Sequence, residues 1–477
     1  MRSDRTLVLG AAVLAALSLA PAAAEDQKDW WSWGADLRLR QKFIGNVGLN
    51  DDSDTADRTL QRYRARLWGQ ITPIDGFEAN ARLMWEGRHY NKPDADAWPF
   101  AGFETWYDGA LLFDTLNLNF KRIGGSPLSL KVGRQDVIFG NGWLILDGTP
   151  LDGSRTLYFD AARATYAAEP IGTTFDLIYL NNDANTDRFP QQLNDEIEDQ
   201  IEQGEIGAIL YARNKSLLKD WDLDGYFIYK DNDAQLYPDR SPPTLRINNG
   251  NPGPSPSDDG EVYAFGVRAD GKLTPNWALR AEAVYEWGER AGSDMPDADL
   301  EAFGFNGRVT YHFLDELANR LHLGYEFLSG DDPDTDDNEL FDPLWGRWPQ
   351  WSELMVYQWP LDSRVGEATN LQRLNVGWGM KPHPTTEVTL DYHALWADEE
   401  NARSSGQNVN LSQTGDFRGH LFAGWVKTKL DKHVAGHLVA EYFTPGDYYA
   451  DGTPVAKKKA YRQDDSFFVR AEVMLTW

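Results

Sequence analysis

Arginine recurs at every second position in several stretches of this sequence. Arg38 and Arg40 form one such pair, and Arg62, Arg64 and Arg66 form a run of three. A guanidinium stays charged at physiological pH and binds carboxylates through a planar fork of N–H donors. Because alternate residues of a β-strand face the same side, this spacing predicts cationic strand faces that could line a conduit for anions. Other arginines at equivalent polar positions are Arg82, Arg163, Arg268, Arg280, Arg308, Arg373 and Arg470.

Acidic residues on the same polar faces allow a second interpretation of the arginines. Glu78, Glu86, Glu282, Asp391 and Glu472 stand at positions from which they could pair with them. The arginines would then stabilise the protein through ion pairs and would not conduct anions. The sequence leaves both interpretations open.

Most other acidic residues lie between the alternating stretches. Asp332, Asp334 and Asp336 have the spacing of the first ligands of an EF-hand, and hard cations prefer carboxylate oxygens. Asp337 replaces the turn glycine of that motif and Pro343 replaces its bidentate glutamate, so this is not an EF-hand. Solvation of an exposed loop is the simpler interpretation, and loop-bound Ca²⁺ is the alternative. No other cofactor is predicted.

Composition excludes several classes of function. Cysteine is absent, which excludes a thiol nucleophile, a Cys-ligated zinc and a disulfide framework. None of the eight histidines stands with a serine or a paired acid in a nucleophile motif, so we do not expect an enzyme. Lys+Arg number 46 against 74 Asp+Glu, and the net charge of -28 argues against nucleic-acid binding through bulk charge.

The elements that carry these side chains are strands. From Phe77 to Trp85 the odd positions are apolar, while the even positions include Glu78, Asn80 and Arg82. Such a period of two indicates β-strands with one polar face. Eighteen segments follow this pattern, at roughly residues 33–43, 62–72, 77–88, 115–121, 128–135, 157–168, 173–180, 204–213, 221–230, 261–270, 277–288, 302–313, 319–328, 371–381, 386–396, 418–429, 434–443 and 466–477.

The connections between the segments favour a membrane barrel over a soluble β-sandwich. They are short after even-numbered segments, as at 73–76 and 382–384, and long after odd-numbered ones, as at 231–260 and 329–370. Outer-membrane barrels have short periplasmic turns, long outer loops and aromatic girdles. Mean hydropathy is -0.54, and beyond the N-terminus no apolar run approaches the roughly 20 residues of a membrane-spanning helix. We therefore predict an all-β, transmembrane antiparallel barrel of about 18 strands with both termini in the periplasm.

The N-terminus has the pattern of a secretory signal. Two arginines precede an apolar run from Leu7 to Ala20, and small residues follow up to Ala24. A basic start, a short apolar core and small residues before the cleavage site are typical of such signals. We predict a signal peptide over residues 1–24 and a single barrel domain over residues 25–477, located in the outer membrane of a Gram-negative bacterium.

Four stretches of the chain resemble the outer-membrane alginate export porins. They are Lys131–Asp136, Phe159–Ala164, Phe341–Leu354 and Tyr442–Tyr449, of which the third is the most specific. The resemblance extends over essentially the whole mature chain. It implies a monomeric barrel, embedded in outer-membrane lipid, that exports alginate or a similar anionic polysaccharide through an electropositive lumen. It also implies a periplasmic scaffold that delivers the polymer.

The resemblance identifies particular lumen arginines. Arg134 and Arg163 are the best matches by position, and Arg373 and Arg470 follow from alternation and the family together. Strict alternation points Arg134 outward, and a bulge at Gly133 would turn it inward. The full set predicted for the substrate conduit is Arg38, Arg66, Lys131, Arg134, Arg163, Arg373 and Arg470.

Three tryptophans of the third stretch could contact the polymer. Trp345, Trp348 and Trp351 could stack on sugar rings at the mouth of the pore, or they could be ordinary loop packing.

A second function also stays open. A general or uptake porin for small anions or sugars would share the arginines but would favour a trimer, whereas strand faces without a polar gap predict a monomer.

Overall fold

The alternating segments form eighteen strands of one antiparallel sheet in the part of the chain that the structure describes. This computed structural model describes residues 30–47, 49, 57–92, 106–146, 158–183, 190–194, 204–233, 259–290, 298–332, 334–346, 349–358, 368–400, 415–449 and 464–477. The strands are β1 (Trp31–Gly45), β2 (Arg58–Ile74), β3 (Phe77–Lys92), β4 (Trp106–Phe120), β5 (Leu128–Gln135), β6 (Phe159–Ala168), β7 (Thr173–Asn182), β8 (Glu205–Asn214), β9 (Trp221–Asn232), β10 (Gly260–Lys272), β11 (Trp277–Arg290), β12 (Ala298–His312), β13 (Arg320–Leu328), β14 (Leu371–His383), β15 (Thr386–Trp396), β16 (Phe417–Lys429), β17 (Val434–Pro445) and β18 (Ser466–Thr476).

The sheet is closed. Each strand pairs with its neighbours in sequence, and β1 also pairs with β18. The closing register places Arg40 opposite Glu472 and Lys42 opposite Arg470. In lipid every backbone N–H and C=O group needs an internal partner, and closure supplies one for the edge strands. The predicted transmembrane antiparallel barrel of 18 strands is therefore confirmed.

The two faces of the wall differ as the alternation predicts. In β1, Leu39 is 38% exposed, whereas its neighbour Arg38 is 1% exposed. The same contrast recurs in β18, where Val469 is exposed and Arg470 is buried. Apolar side chains thus point outward and charged ones point into the barrel.

The fourth strand departs furthest from its predicted bounds. It begins at Trp106, whereas the sequence pattern predicts a start near residue 115. The register between β3 and β4 shifts between Arg82 and Leu83 and again between Trp85 and Gly87. Irregularities of this kind interrupt the period of two, so the pattern cannot be followed through them.

Short turns join the strands at one end of the barrel, where the first described residues and the C-terminal residue Trp477 also lie. Gly172 closes one of these turns with φ of 56°, a left-handed conformation that glycine adopts without strain. The backbone N–H of Trp477 donates to the carbonyl oxygen of Ala35 at 2.9 Å. In outer-membrane barrels the short-turn end faces the periplasm.

Helical structure in the described residues is brief. The α-helix is α1 (Met355–Gln358), and 3-10 turns occur at Ile123–Gly125, Glu169–Ile171 and Asp447–Tyr449. Within the same residues, no helix has the length and apolar character needed to cross a membrane.

Two long connections fold into the barrel. We call residues 136–146, which follow β5, the inner segment, and residues 341–346 with 349–358, between β13 and β14, the strap. The backbone N–H of Trp345 donates to the carbonyl oxygen of Leu144 at 2.9 Å and so joins the two. The sequence pattern predicts extracellular loops here. Their apolar side chains, such as Phe139 and Leu344, instead pack against inward-facing strand residues in one buried cluster.

Candidate functional site

A ladder of arginines follows the inner faces of β1 and β2. Arg38 of β1 stands opposite Arg64 of β2, and Arg40 stands opposite Arg62. All four side chains are buried, and that of Arg64 is 0% exposed. The ladder arises because both strands place arginine at consecutive inward positions, and antiparallel pairing brings the two series side by side.

Acidic side chains bind part of this ladder. One carboxylate, Glu86 of β3, accepts hydrogen bonds from Arg38 at 3.2 Å and from Arg62 at 2.6 Å. Asp36 accepts from Arg66 at 2.5 Å. Glu472 pairs with Arg40. The interpretation of the arginines as structural ion pairs is thus correct for some of them.

Positive charge nevertheless remains in excess on this wall. None of the three nitrogens of the Arg64 guanidinium has a hydrogen-bond partner in the described structure, and the nearest carboxylate oxygen, of Asp36, is 3.9 Å away. Sequence reasoning noted Arg64 as a polar-face residue but did not select it, because pairing cannot be seen in the sequence. Among the described residues of this wall, three carboxylates are paired with six guanidiniums. The carboxylates are those of Asp36, Glu86 and Glu472, and the guanidiniums are those of Arg38, Arg40, Arg62, Arg64, Arg66 and Arg88.

Arg163 and Lys131 lie side by side on the inner face of β5 and β6. They occupy opposite register positions, so two cations are neighbours there. Arg163 donates to Asp176 at 2.8 Å and stacks 5.1 Å from the ring centre of Phe139. Phe139 belongs to the inner segment. Of these two predicted conduit residues, Arg163 therefore contacts the inner segment.

Arg134 is buried in the barrel wall, with 5% of its surface exposed. Gly133 has the expected backbone irregularity, with φ of 113°. The register is unbroken through it, which gives Arg134 the parity of the exposed Val132. A role of Arg134 in the conduit stays a prediction. Its guanidinium contacts are Asp160 at 2.8 Å, the carbonyl oxygens of Phe113 at 3.0 Å and Pro190 at 3.4 Å, and the ring of Tyr158 at 3.6 Å.

Arg373 and Arg470 point inward, as alternation predicts, and both contact the strap. Arg373 donates to Glu326 at 2.8 Å and stacks 4.7 Å from the ring centre of Trp351. Arg470 pairs with Glu353 at 2.8 Å. These arginines therefore hold the strap as well as contributing charge.

One end of the strap is anchored on β9 and β11. The Asp342 carboxylate lies 3.3 Å from Lys230 and 3.3 Å from Arg290. Its backbone N–H donates to Glu286 at 2.9 Å. Burial alone would raise the pKa of Asp342, but Lys230 and Arg290 hold that pKa well below its usual range. The anchor therefore stays ionised at neutral pH.

The other end of the strap is anchored on β17 and β18. Glu441 accepts from the Ser352 hydroxyl at 2.6 Å and from the backbone N–H groups of Glu353 at 2.9 Å and Leu354 at 3.0 Å. Gln358 donates to Ser466 at 2.9 Å. The strap therefore reaches from β9 to β18, which are half a ring apart in the eighteen-stranded barrel, and contacts β14 and β15 on the way.

The tryptophans predicted at the mouth have other environments. Trp345 is 4% exposed, donates its indole N–H to Glu205 at 3.1 Å and meets Phe159 edge-on, so it cannot stack on a sugar. Trp351 is partly buried under Arg373. Trp348 lies outside the described residues. The stretch Phe341–Leu354, which resembles the export porins, therefore forms most of the strap. The presence of tryptophan at position 345 is explained by its burial in the barrel and not by sugar binding.

An aromatic stack inside the barrel was missed by sequence reasoning. Phe139 stacks on Tyr211 with 4.0 Å between ring centres, and Tyr211 stacks on Tyr226 at 5.3 Å. Tyr226 donates to Glu282 at 2.9 Å. The alternation of β8 and β9 places Tyr211 and Tyr226 on the inner face, so the sequence could have indicated the stack. The residues selected from that face for the conduit were all charged.

The acidic loop is not arranged as a cation site in the residues that can be described. Asp332 Oδ1 accepts from the backbone N–H of Asp334 at 2.9 Å, as in a local turn. No group of three or more His, Asp or Glu side chains there could hold a metal ion. Calcium binding by Asp332, Asp334 and Asp336 stays a prediction.

The comparisons with known proteins agree with the barrel. A family model described as alginate export matches residues 30–462. OccK5 (OpdH) of Pseudomonas aeruginosa is 14% identical, with a TM-score of 0.53 over 93% of this chain and 98% of that chain. OccAB2 of Acinetobacter baumannii is 11% identical, with a TM-score of 0.55 over 94% of this chain and 98% of that chain. At these identities the likeness concerns the fold alone. No curated protein sequence matches the chain.

Family and fold together define the class of the protein. Both indicate a porin, that is, a multi-pass transport channel of the Gram-negative outer membrane. The family model covers nearly the whole chain, including the strands of the arginine ladder and the strap. The chain belongs to the alginate export family.

Proposed function

We propose that this porin exports an anionic polysaccharide, alginate or a similar polyuronate, through a lumen made electropositive by arginine. The observation that carries the proposal is the excess of guanidinium over carboxylate on the β1–β2 wall, with Arg64 bound to no acid by a hydrogen bond. Removing cations from bulk water is costly, and in the part of the chain that the structure describes the ion pairs of these six guanidiniums share three carboxylates. Stability alone does not explain such an imbalance, whereas attraction of a polyanion does.

The excess charge acts on a passing polymer through its field. A narrow lumen with low-dielectric walls focuses the potential, even when the overall net charge of the protein is -28. One fixed charge contributes on the order of 1 kcal/mol to a carboxylate a few ångströms away in water. A polyuronate carries one carboxylate per sugar, so many weak attractions draw it in without trapping it. A periplasmic scaffold would deliver the polymer at the short-turn end.

Substitution of Arg64 tests the proposal without leaving an acid unpaired. We expect Arg64→Gln to lower the anion preference of the single-channel current and to weaken block by an oligouronate about fivefold, from the loss of about 1 kcal/mol. Arg122→Gln is the matched control, because Arg122 is an exposed turn residue outside the lumen. A neutral oligosaccharide of equal length should block much less than the oligouronate.

Two results would contradict polyanion export. A wild-type pore that prefers cations would show that the ladder does not set the lumen field. Equal block by neutral and anionic oligomers would show that the field does not select the polymer.

The strap favours a second candidate, a porin for small anions. It lies inside the barrel between anchors on β9 and on β17 and β18, which leaves less room for a chain of sugars. The two candidates differ in length dependence. An export pore should be blocked more strongly as the oligouronate grows, whereas a small-anion pore should bind single uronates as well as longer ones.

A further inference from the structure

Three small residues lie together on the outward face of the barrel near its short-turn end. Gly69 of β2 pairs in register with Ala81 of β3, and Ala79 faces the same side two positions away. A Cβ placed on Gly69 would meet only the carbonyl oxygen of Ser32, at 3.8 Å, so the space above it is open. These residues form the floor of a depression in the wall, which we call the outer groove.

Large apolar side chains wall the outer groove. Trp31 and Trp33 of β1 stand on one side and Leu116 and Leu118 of β4 on the other, in the same register rows as the floor. The groove encloses about 440 Å³, within the range of roughly 300–1,000 Å³ that is usual for ligand sites. It is therefore a concave site and not part of an evenly filled wall.

The groove faces lipid. Its walls belong to the outward apolar series, and Trp31 is 44% exposed there. The short-turn end faces the periplasm, so the adjacent leaflet consists of phospholipid. In lipid an acyl chain is already surrounded by hydrocarbon, so what it gains in the groove is close van der Waals packing against the floor and walls. We propose that the outer groove binds an acyl chain of a phospholipid from the periplasmic leaflet.

A cationic residue lies in a turn below the floor, at the level of the lipid headgroups. There β3 begins and β4 ends, and the backbone N–H of Lys121 donates to the carbonyl oxygen of Gly76 at 2.7 Å. The Lys121 side chain pairs with Glu78, which belongs to the inner face, whereas Arg122 is 63% exposed in a surface pair with Asp75. A surface pair contributes only about 0–1 kcal/mol, so an anionic phosphate can compete for Arg122.

A second copy of the chain fits the groove less well. The wall of another barrel is convex and stiff, so it would cover the depression without entering it. An acyl chain is narrow and flexible and can follow the floor between the two walls. The shape and the cationic end together favour the lipid.

Filling the groove tests the proposal. Gly69→Leu occupies the floor, and Gly225→Leu is the matched control, because Gly225 is an outward-facing strand glycine whose added Cβ would have no neighbour within 4 Å. Each variant is purified in mild detergent, incubated with phosphatidylglycerol and weighed by native mass spectrometry. We expect a single retained phosphatidylglycerol on wild type and on Gly225→Leu, and at least a tenfold loss of that adduct on Gly69→Leu.

The contribution of the headgroup charge is tested separately. Both phosphatidylglycerol and phosphatidylcholine carry a phosphate, but only phosphatidylglycerol has a net negative charge, so Arg122→Gln should lower retention of phosphatidylglycerol more than retention of phosphatidylcholine. Equal retention by wild type and Gly69→Leu would overturn the proposal. So would a wild-type dimer that Gly69→Leu dissolves, which would assign the groove to a second copy. None of these measurements involves transport, so their outcome is independent of the polymer that the pore carries.

Discussion

The strap should loosen when its anchor on β17 is removed. Glu441→Ala deletes the carboxylate that accepts hydrogen bonds from Ser352, Glu353 and Leu354. A hydrogen bond to a charged group contributes about 1.5–3 kcal/mol, so three such bonds amount to roughly 5 kcal/mol or more before other costs. Even about 1.5 kcal/mol of net loss would raise the population of the undocked strap roughly tenfold. We therefore expect a larger single-channel conductance and more current noise.

Planar-bilayer recording measures both quantities directly. Glu441→Gln should lie between wild type and Glu441→Ala, because an amide oxygen can still accept hydrogen bonds but carries no charge. Asp431→Ala is the matched control, since Asp431 also accepts hydrogen bonds from two backbone N–H groups, those of His433 and Val434, but lies in an exposed short turn away from the strap. Heat-modifiable migration in gels checks that each barrel is folded. If Glu441→Ala conducts like wild type with equal noise, the strap is not an obstacle in the pore.

Three further predictions follow from the fold. A tag inserted near Asp334 should be labelled on intact cells and one near Pro384 should not, because they lie in a long and a short connection; labelling at Pro384 would reverse the orientation. Gly346→Ala should disturb the contact between strap and inner segment, since its Cβ would lie 1.7 Å from the carbonyl oxygen of Trp143; unchanged conductance and thermal stability would contradict this. Large apolar side chains are exposed on the outward faces of the described strands, so light scattering in detergent should give the mass of one barrel, and a stable trimer would favour a general porin.

Residue types and spacing alone determined the barrel. The alternation seen from Phe77 to Trp85 recurs in eighteen segments, and long and short connections alternate between them. Few folds other than a membrane barrel are compatible with both features. The physical reason is that lipid forces both a period of two and closure of the backbone hydrogen bonds. The same alternation correctly placed Arg38, Arg373 and Arg470 on the inner face.

Tertiary structure decided what those side chains do. Whether an arginine is paired depends on the register between strands far apart in sequence, so Arg40 meets Glu472 while Arg64 is left without a hydrogen-bonded acid. Whether a long connection lies outside or inside the barrel depends on packing. The strap lies inside, where Trp345 is buried. Alternation is a local property that a short stretch of sequence contains in full. Pairing and packing arise only when distant strands are brought together, and therefore the charge of the lumen and its obstruction are properties of the folded barrel.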